Sequence, residues 1–178
     1  MLLTFGHISD IKSKRNEVSI SEVLNNQILS EQLDAKADML FRFVMLYHDF
    51  AMEKKDYGTG KDVSMVEVHT LLRVAEKPGI TVSEISEQTY RTKSAVSQII
   101  KRLETMGYVE RRCNRDDRRL MQLYPTEAGI ELNTAHLRYD SVEVKETFDE
   151  LMKVCSEEEL EAFFKVVDEY LCLLSNEK

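Results

Sequence analysis

Thr92-Lys93-Ser94-Ala95-Val96-Ser97-Gln98-Ile99-Ile100-Lys101-Arg102-Leu103-Glu104-Thr105-Met106-Gly107 is the stretch on which the fold turns. Thr92 has the side chain of a helix N-cap, and Gly107 is the glycine that ends a helix. At about 100° per residue, Val96, Ile99, Ile100 and Leu103 share one face that must pack inward. Ser94, Gln98 and Lys101 point the opposite way, with Ser97 and Arg102 flanking them. The outward face is thus short and polar near its N-terminus and basic further on. Gln suits an adenine edge, Ser any base, and Lys or Arg a guanine or a phosphate.

On the C-terminal side, Tyr108-Val109-Glu110-Arg111 alternates like a strand, Arg112 to Arg118 is polar and turn-like, and Arg119 to Leu123 alternates again. Two strands around such a loop read as a β-hairpin. The loop Arg112-Cys113-Asn114-Arg115-Asp116-Asp117-Arg118-Arg119 holds four arginines in eight residues. Arginine suits both a narrow, electronegative minor groove and a phosphate fork, and Asp116 or Asp117 could fix one by a bidentate pair.

On the N-terminal side, Ser64-Met65-Val66-Glu67 has the form of a capping box, and Val68, Leu71, Leu72 and Ala75 follow at helical spacing until Pro78-Gly79. Ile80-Thr81-Val82 is extended or leads into a short helix from Ser83 to Gln88, with Ile85 facing in. The order is helix, short helix, tight turn, helix, hairpin, which is a helix-turn-helix with a wing. In that motif the second helix of the pair enters the major groove and the first braces it.

Outside this module the chain reads as long amphipathic helices. Ser30 opens one, with Leu33, Ala37, Leu40, Phe41, Val44, Tyr47 and His48 on a stripe, ending near Asp56-Tyr57-Gly58-Thr59-Gly60. Thr126 caps another through Leu132, Ala135, Tyr139 and Val142 toward Val154. Ser156-Glu157-Glu158-Glu159 is a second capping box, leading into Leu160, Phe163, Phe164, Val167, Leu171 and Leu174. Residues 1–28 lack a clear period, although Ile20, Val23, Leu24 and Ile28 would suit a short helix. The expected layout is an N-terminal extension over 1–28, a helical dimerisation region over 29–60 and 126–178, and a winged helix-turn-helix over 61–125. The fold class is mainly α, with a two-stranded β-hairpin wing.

Composition agrees. In 178 residues, 43% hydrophobic and 31% charged, there are six Gly and two Pro, too few turn formers for an all-β sandwich. Net charge is −8, yet residues 91–119 hold nine Lys or Arg against four Asp or Glu. One basic patch on an acidic body is an electrostatic footprint for a polyanion. No apolar run approaches membrane length, and three cysteines without paired spacing point to a reducing cytoplasm rather than a disulfide framework.

Other chemistry finds little support. No phosphate-binding glycine loop, nucleophile elbow or zinc-deaminase signature occurs, so no catalytic residue and no cofactor is expected. His7, His48, His69 and His136 are isolated in sequence, and His69 reads as a core residue; no metal ligand is assigned. A spatial site joining His48, His136 and acidic residues is the weaker alternative. Cys113 has cationic neighbours that favour thiolate, making it a weak candidate for oxidant sensitivity. Cys155 and Cys172 fall on apolar helical patterns and are expected in the core.

Taken together, Ile80-Thr81-Val82-Ser83-Glu84-Ile85, Lys93 to Glu104, Gly107-Tyr108-Val109-Glu110-Arg111, Asp117-Arg118-Arg119 and Thr126-Glu127-Ala128-Gly129 resemble the MarR family of winged helix-turn-helix regulators in order and spacing. The resemblance covers about 30 to 175. It implies a homodimer that binds double-stranded DNA at near-palindromic sites, usually as a repressor, and that releases DNA when a small molecule, a metal or an oxidant acts. It places Ser94, Ser97, Gln98 and Lys101 on the major-groove face; Thr92, Lys93 and Arg102 are further candidates for DNA contact on the same helix. Arg119 and Arg118 take wing positions in the minor groove, with Arg115 close by and Asp117 in support. Two departures stand out: Pro125 replaces the usual Leu before the helix-starting Thr, and the turn Thr89-Tyr90-Arg91 has no glycine. The competing reading is a winged-helix module for protein assembly that does not read DNA.

Overall fold

The computed structural model describes residues 20–114 and 120–176. The described elements run α1 (Ile20–Met52), β1 (Lys54–Asp56), β2 (Asp62–Ser64), α2 (Met65–Glu76), α3 (Val82–Thr89), α4 (Lys93–Thr105), β3 (Val109–Cys113), β4 (Met121–Pro125), α5 (Glu127–Leu151) and α6 (Glu157–Asn176). The fold is mainly helical, with two small antiparallel hairpins. Two compact units divide within α1, one ending at His48 and the other starting at Asp49.

In the second unit the helix starts are fixed by side-chain caps. Ser64 and Glu67 form a complete capping box at α2, and Thr81 and Glu84 form another at α3. Thr92 accepts the Ala95 N–H at α4, and Thr126 accepts the Gly129 N–H at α5. Ser156 and Glu159 exchange the same reciprocal bonds at the start of α6. Each cap satisfies donors that a helix start leaves open and contributes about 1 kcal/mol.

The core gathers one stripe from each element of the winged module: Val68, Leu71 and Val74 from α2, Ile85 from α3, and Val96, Ile100 and Leu103 from α4, all fully buried. Ile80, Leu123 and Leu132 close it from the hairpin side and from α5. Burying each such side chain stabilises by roughly 1.5–3 kcal/mol. The β3–β4 register runs from Val109↔Pro125 to Cys113↔Met121. Ile80 adds a further rung by bridging Leu123, so the wing is rooted on the α2–α3 connection.

Several sequence expectations need correction. The helix expected from Ser30 starts at Ile20, because the short periodic segment before it runs on without a breaker. It ends at Met52, and Lys54–Asp56 pairs with Asp62–Ser64 as a hairpin where a loop is expected. That turn is organised by Asp56, whose carboxylate accepts the N–H groups of Gly58, Thr59 and Gly60 at 2.8, 2.8 and 2.9 Å. The short helix extends one residue at each end, and α5 stops at Leu151 rather than Val154. His69 is not a core residue; its side chain is 47% exposed. Within the described chain Cys172 is exposed and Cys155 half-buried, so neither lies in the core.

Candidate nucleic-acid interface

The turn between α3 and α4 sets the angle of α4. With no glycine available, Tyr90 itself takes the left-handed conformation, φ 53°. The Ser86 hydroxyl donates to the Arg91 carbonyl at 2.6 Å, closing the turn. α3 is held at its start by Glu84, whose hydrogen bonds to Lys77 and Thr81 bring its pKa down to about 2.

α4 carries its residues as the periodicity requires. Val96, Ile100 and Leu103 are buried and Ile99 packs partly against the same cluster. Thr92, Lys93, Ser94, Gln98 and Lys101 are exposed and Ser97 is half-exposed. Among the described residues, Lys93 and Lys101 make no ion pair. Two other charges of this region face the protein instead. Arg102 pairs through Nε with Glu67 Oε1 at 2.7 Å, and Arg111 on β3 grips both oxygens of Glu104 at 3.0 and 2.9 Å. The Lys61 ammonium donates to the Met106 carbonyl at 2.8 Å. The helix is thus braced by α2, by the wing and by the first hairpin, and its polar face is left toward solvent.

Glu67 is the residue that sequence spacing undervalues. Its side chain is 7% exposed, and Oε2 accepts the Ser64 N–H at 2.8 Å while Oε1 holds Arg102. The capping-box spacing reveals the first role; the second depends on how α2 and α4 cross.

In the wing, Arg112 stacks on Tyr124, 4.3 Å from the ring centroid, and its Nε donates to Glu110 at 2.9 Å. Cys113 sits opposite Met121, with the sulfurs 3.6 Å apart. Arg115, Asp117, Arg118 and Arg119 lie outside the described residues. An open cleft of about 820 Å³ along α5 is lined by Glu143, Glu146, Asp149 and Glu150, together with Phe50. Its carboxylates repel phosphate and separate it from the basic face.

A hairpin rooted beside a braced helix with a polar-basic outer face is the geometry of a winged DNA reader. Residues 61–120 match the MarR family model. Among curated relatives, the uncharacterised HTH-type transcriptional regulator YhjH of Bacillus subtilis is 30% identical over 84 residues, 47% of this chain and 48% of that protein. The chain spans about half the length of the curated relatives it matches, from 39% to 59%. Solved structures carry the likeness over more of the chain. Streptococcus pneumoniae FabT in complex with DNA is 25% identical, covers 84% of this chain and 99% of its own, and has a TM-score of 0.60. The S. aureus MepR–DNA complex is 25% identical, covers 75% and 96%, and has a TM-score of 0.62. No helix among the described residues is long and apolar enough to cross a membrane.

Proposed function

We propose that this chain is a transcriptional regulator that binds double-stranded DNA as a homodimer, with α4 in the major groove and the hairpin tip along the minor groove. The observation that carries this reading is the division of α4: an apolar face locked into the core and a polar-basic face, Ser94 to Lys101, without ion-pair partners among the described residues. Both similar structures named above are DNA complexes, which supports the same assignment. In this reading Ser94, Ser97 and Gln98 contact base edges, Thr92, Lys93 and Lys101 contact phosphates or guanine, and Arg102 orients α4 through Glu67. Arg115, Arg118 and Arg119 serve the wing, supported by Asp117.

The dimer is supported by apolar surface. In α1, Met39, Phe41, Phe43, Val44, Met45 and Leu46 are all at least 45% exposed and point all round the helix rather than along one stripe. In α6, Phe163, Val166, Tyr170, Leu171 and Leu173 are at least 47% exposed. Helices apolar on this scale are covered in the working molecule. The cover we propose is a second copy, with the long helices forming the dimerisation region. Repression from a near-palindromic operator, release by a small-molecule effector and a cytoplasmic location complete the proposal.

Fluorescence anisotropy across a salt series tests it. Wild type binds duplex DNA with a steep loss of affinity as salt rises, and Lys101→Ala reduces the slope by about two units per dimer, one phosphate contact per protomer. Binding of both proteins that is absent or insensitive to salt refutes DNA reading and favours the protein-assembly module.

A further inference from the structure

The turn that joins α3 to α4 holds a residue in a conformation its side chain disfavours. Tyr90, at the C-cap of α3, has φ 53° and ψ 24°, in the left-handed region. Among the described residues, every other position with positive φ is a glycine: Gly58, Gly60, Gly79 and Gly107. Glycine adopts such a conformation freely, whereas a Cβ is forced against the carbonyl oxygen that follows. The chain therefore uses glycine wherever else its backbone needs this geometry, and a bulky aromatic only here.

The surroundings enforce the strained turn. Before Tyr90, the Thr89 hydroxyl donates to the Ile85 carbonyl at 2.7 Å. After it, the Ser86 hydroxyl reaches across to the Arg91 carbonyl at 2.6 Å, and the Thr92 hydroxyl accepts the Ala95 N–H at 3.2 Å. The backbone is fixed on both sides, so the residue between cannot relax. Burial offers little in return, because Tyr90 is 56% exposed and hydrophobic stabilisation follows the area removed from water. Tyr90 also opens an unbroken run of exposed residues, through Ser94, that leads into the polar face of α4. An outlier that its neighbours maintain at the edge of a binding face points to function rather than to folding.

We propose that Tyr90 is a DNA-contact residue whose hydroxyl donates a hydrogen bond to a phosphate oxygen at the rim of the major groove. The proposal rests on the reading of α4 as the helix that enters that groove. In a helix-turn-helix the first helix crosses the sugar-phosphate backbone and the second lies in the groove, so the turn between them passes over the strand at the groove's edge. Tyrosine is one of the side chains that hold phosphate and thereby fix register without reading sequence. Its hydroxyl is neutral, so the contact displaces no counterion. That separates it from the contacts assigned to Lys93 and Lys101, whose charge makes them weaken as salt rises, and from Gln98, which depends on the base it meets.

Fluorescence anisotropy of full-length wild type, Tyr90→Phe and Tyr90→Gly, across a salt series and on two duplexes of unrelated sequence, tests the contact. Tyr90→Phe removes one oxygen and keeps the strained backbone. It is expected to bind both duplexes about tenfold more weakly, with the salt slope of wild type. Tyr90→Gly is expected to bind at least as weakly, while its urea midpoint equals or exceeds that of wild type, because glycine releases the strain. A Tyr90→Phe protein that binds like wild type, a shallower salt slope, or a loss confined to one duplex each overturns the proposal. So does a lower urea midpoint for Tyr90→Gly, which would show that the side chain is retained for folding. If wild type binds neither duplex, the DNA reading itself fails and this proposal falls with it; if wild type binds and the variants match it, Tyr90 alone is removed from the interface.

Discussion

Gly129→Ala is a substitution whose sign depends on the packing found here. In an exposed helix it would stabilise by about 0.5–1 kcal/mol, because Gly is a poor helix former. Gly129 is buried in the first turn of α5, and a Cβ there would meet the Tyr108 carbonyl oxygen at 2.1 Å and its carbon at 3.0 Å. Ordinary contact begins near 3.4 Å. The obstacle cannot swing aside as a side chain would. That carbonyl accepts the Thr126 N–H at 3.0 Å, the Tyr108 N–H donates to Leu103 at 2.9 Å, and the Tyr108 side chain is 2% exposed. Inserting an atom into a packed site costs roughly 1–3 kcal/mol, and a backbone obstacle places this case at or beyond the upper end. After the propensity gain, the net loss is about 2 kcal/mol, or a Tm lower by roughly 4–8 °C for a chain of this length. Urea melts followed by circular dichroism at one fixed protein concentration measure it. A midpoint equal to or above that of wild type refutes the close approach of α5 to Tyr108.

Other perturbations reach other parts of the structure. Glu67→Gln keeps a carbonyl for the Ser64 cap but sets an amide against Arg102; because Arg102 is 43% exposed and can rehydrate, the expected loss is about 1–2 kcal/mol, seen in urea melts together with weaker DNA binding. Glu84, whose folded pKa is depressed to about 2, contributes stability that is complete above its ordinary value of 4.5 and is lost as pH falls toward 2. Glu84→Gln should flatten wild type's stability loss over that window, and identical pH profiles would contradict the Lys77 and Thr81 contacts. Phe163→Glu combined with Leu171→Glu, both exposed in the single chain, should convert the proposed dimer into folded monomers by light scattering. A persistent dimer would remove α6 from the interface.

Much of the winged module was legible because its signals are local. The Ser64, Thr92, Thr126 and Ser156 caps, the buried stripe of α4 and the wing hairpin all follow from spacing within a dozen residues. The pattern Thr126-Glu127-Ala128-Gly129 was recognisable as a motif, but its cause was hidden: Gly129 is required by a carbonyl twenty-one positions upstream in Tyr108. Other features escaped because they depend on how distant elements meet. His69 and His136 look isolated in the chain and become neighbours only when α2 lies on α5. The Glu67–Arg102 pair depends on the crossing of α2 and α4. The β1–β2 hairpin was missed because its strands are three residues each and its turn is organised by one Asp carboxylate rather than by an apolar alternation. Cys155 and Cys172 lie outside the core because an apolar helical stripe marks a surface to be covered without saying by which chain.

The central claim is that a twofold pair of α4 helices reads DNA sequence, and selection of bound duplexes from a random library tests it most directly. Gln98, central on the exposed face, should fix one base pair per half-site, so wild type should enrich an inverted repeat with half-site centres about 10 base pairs apart. Gln98→Ala should lose roughly 1–3 kcal/mol on that sequence and relax choice at the matching position of each half. A library that emerges without enrichment, or an inverted repeat unchanged by Gln98→Ala, would contradict the account.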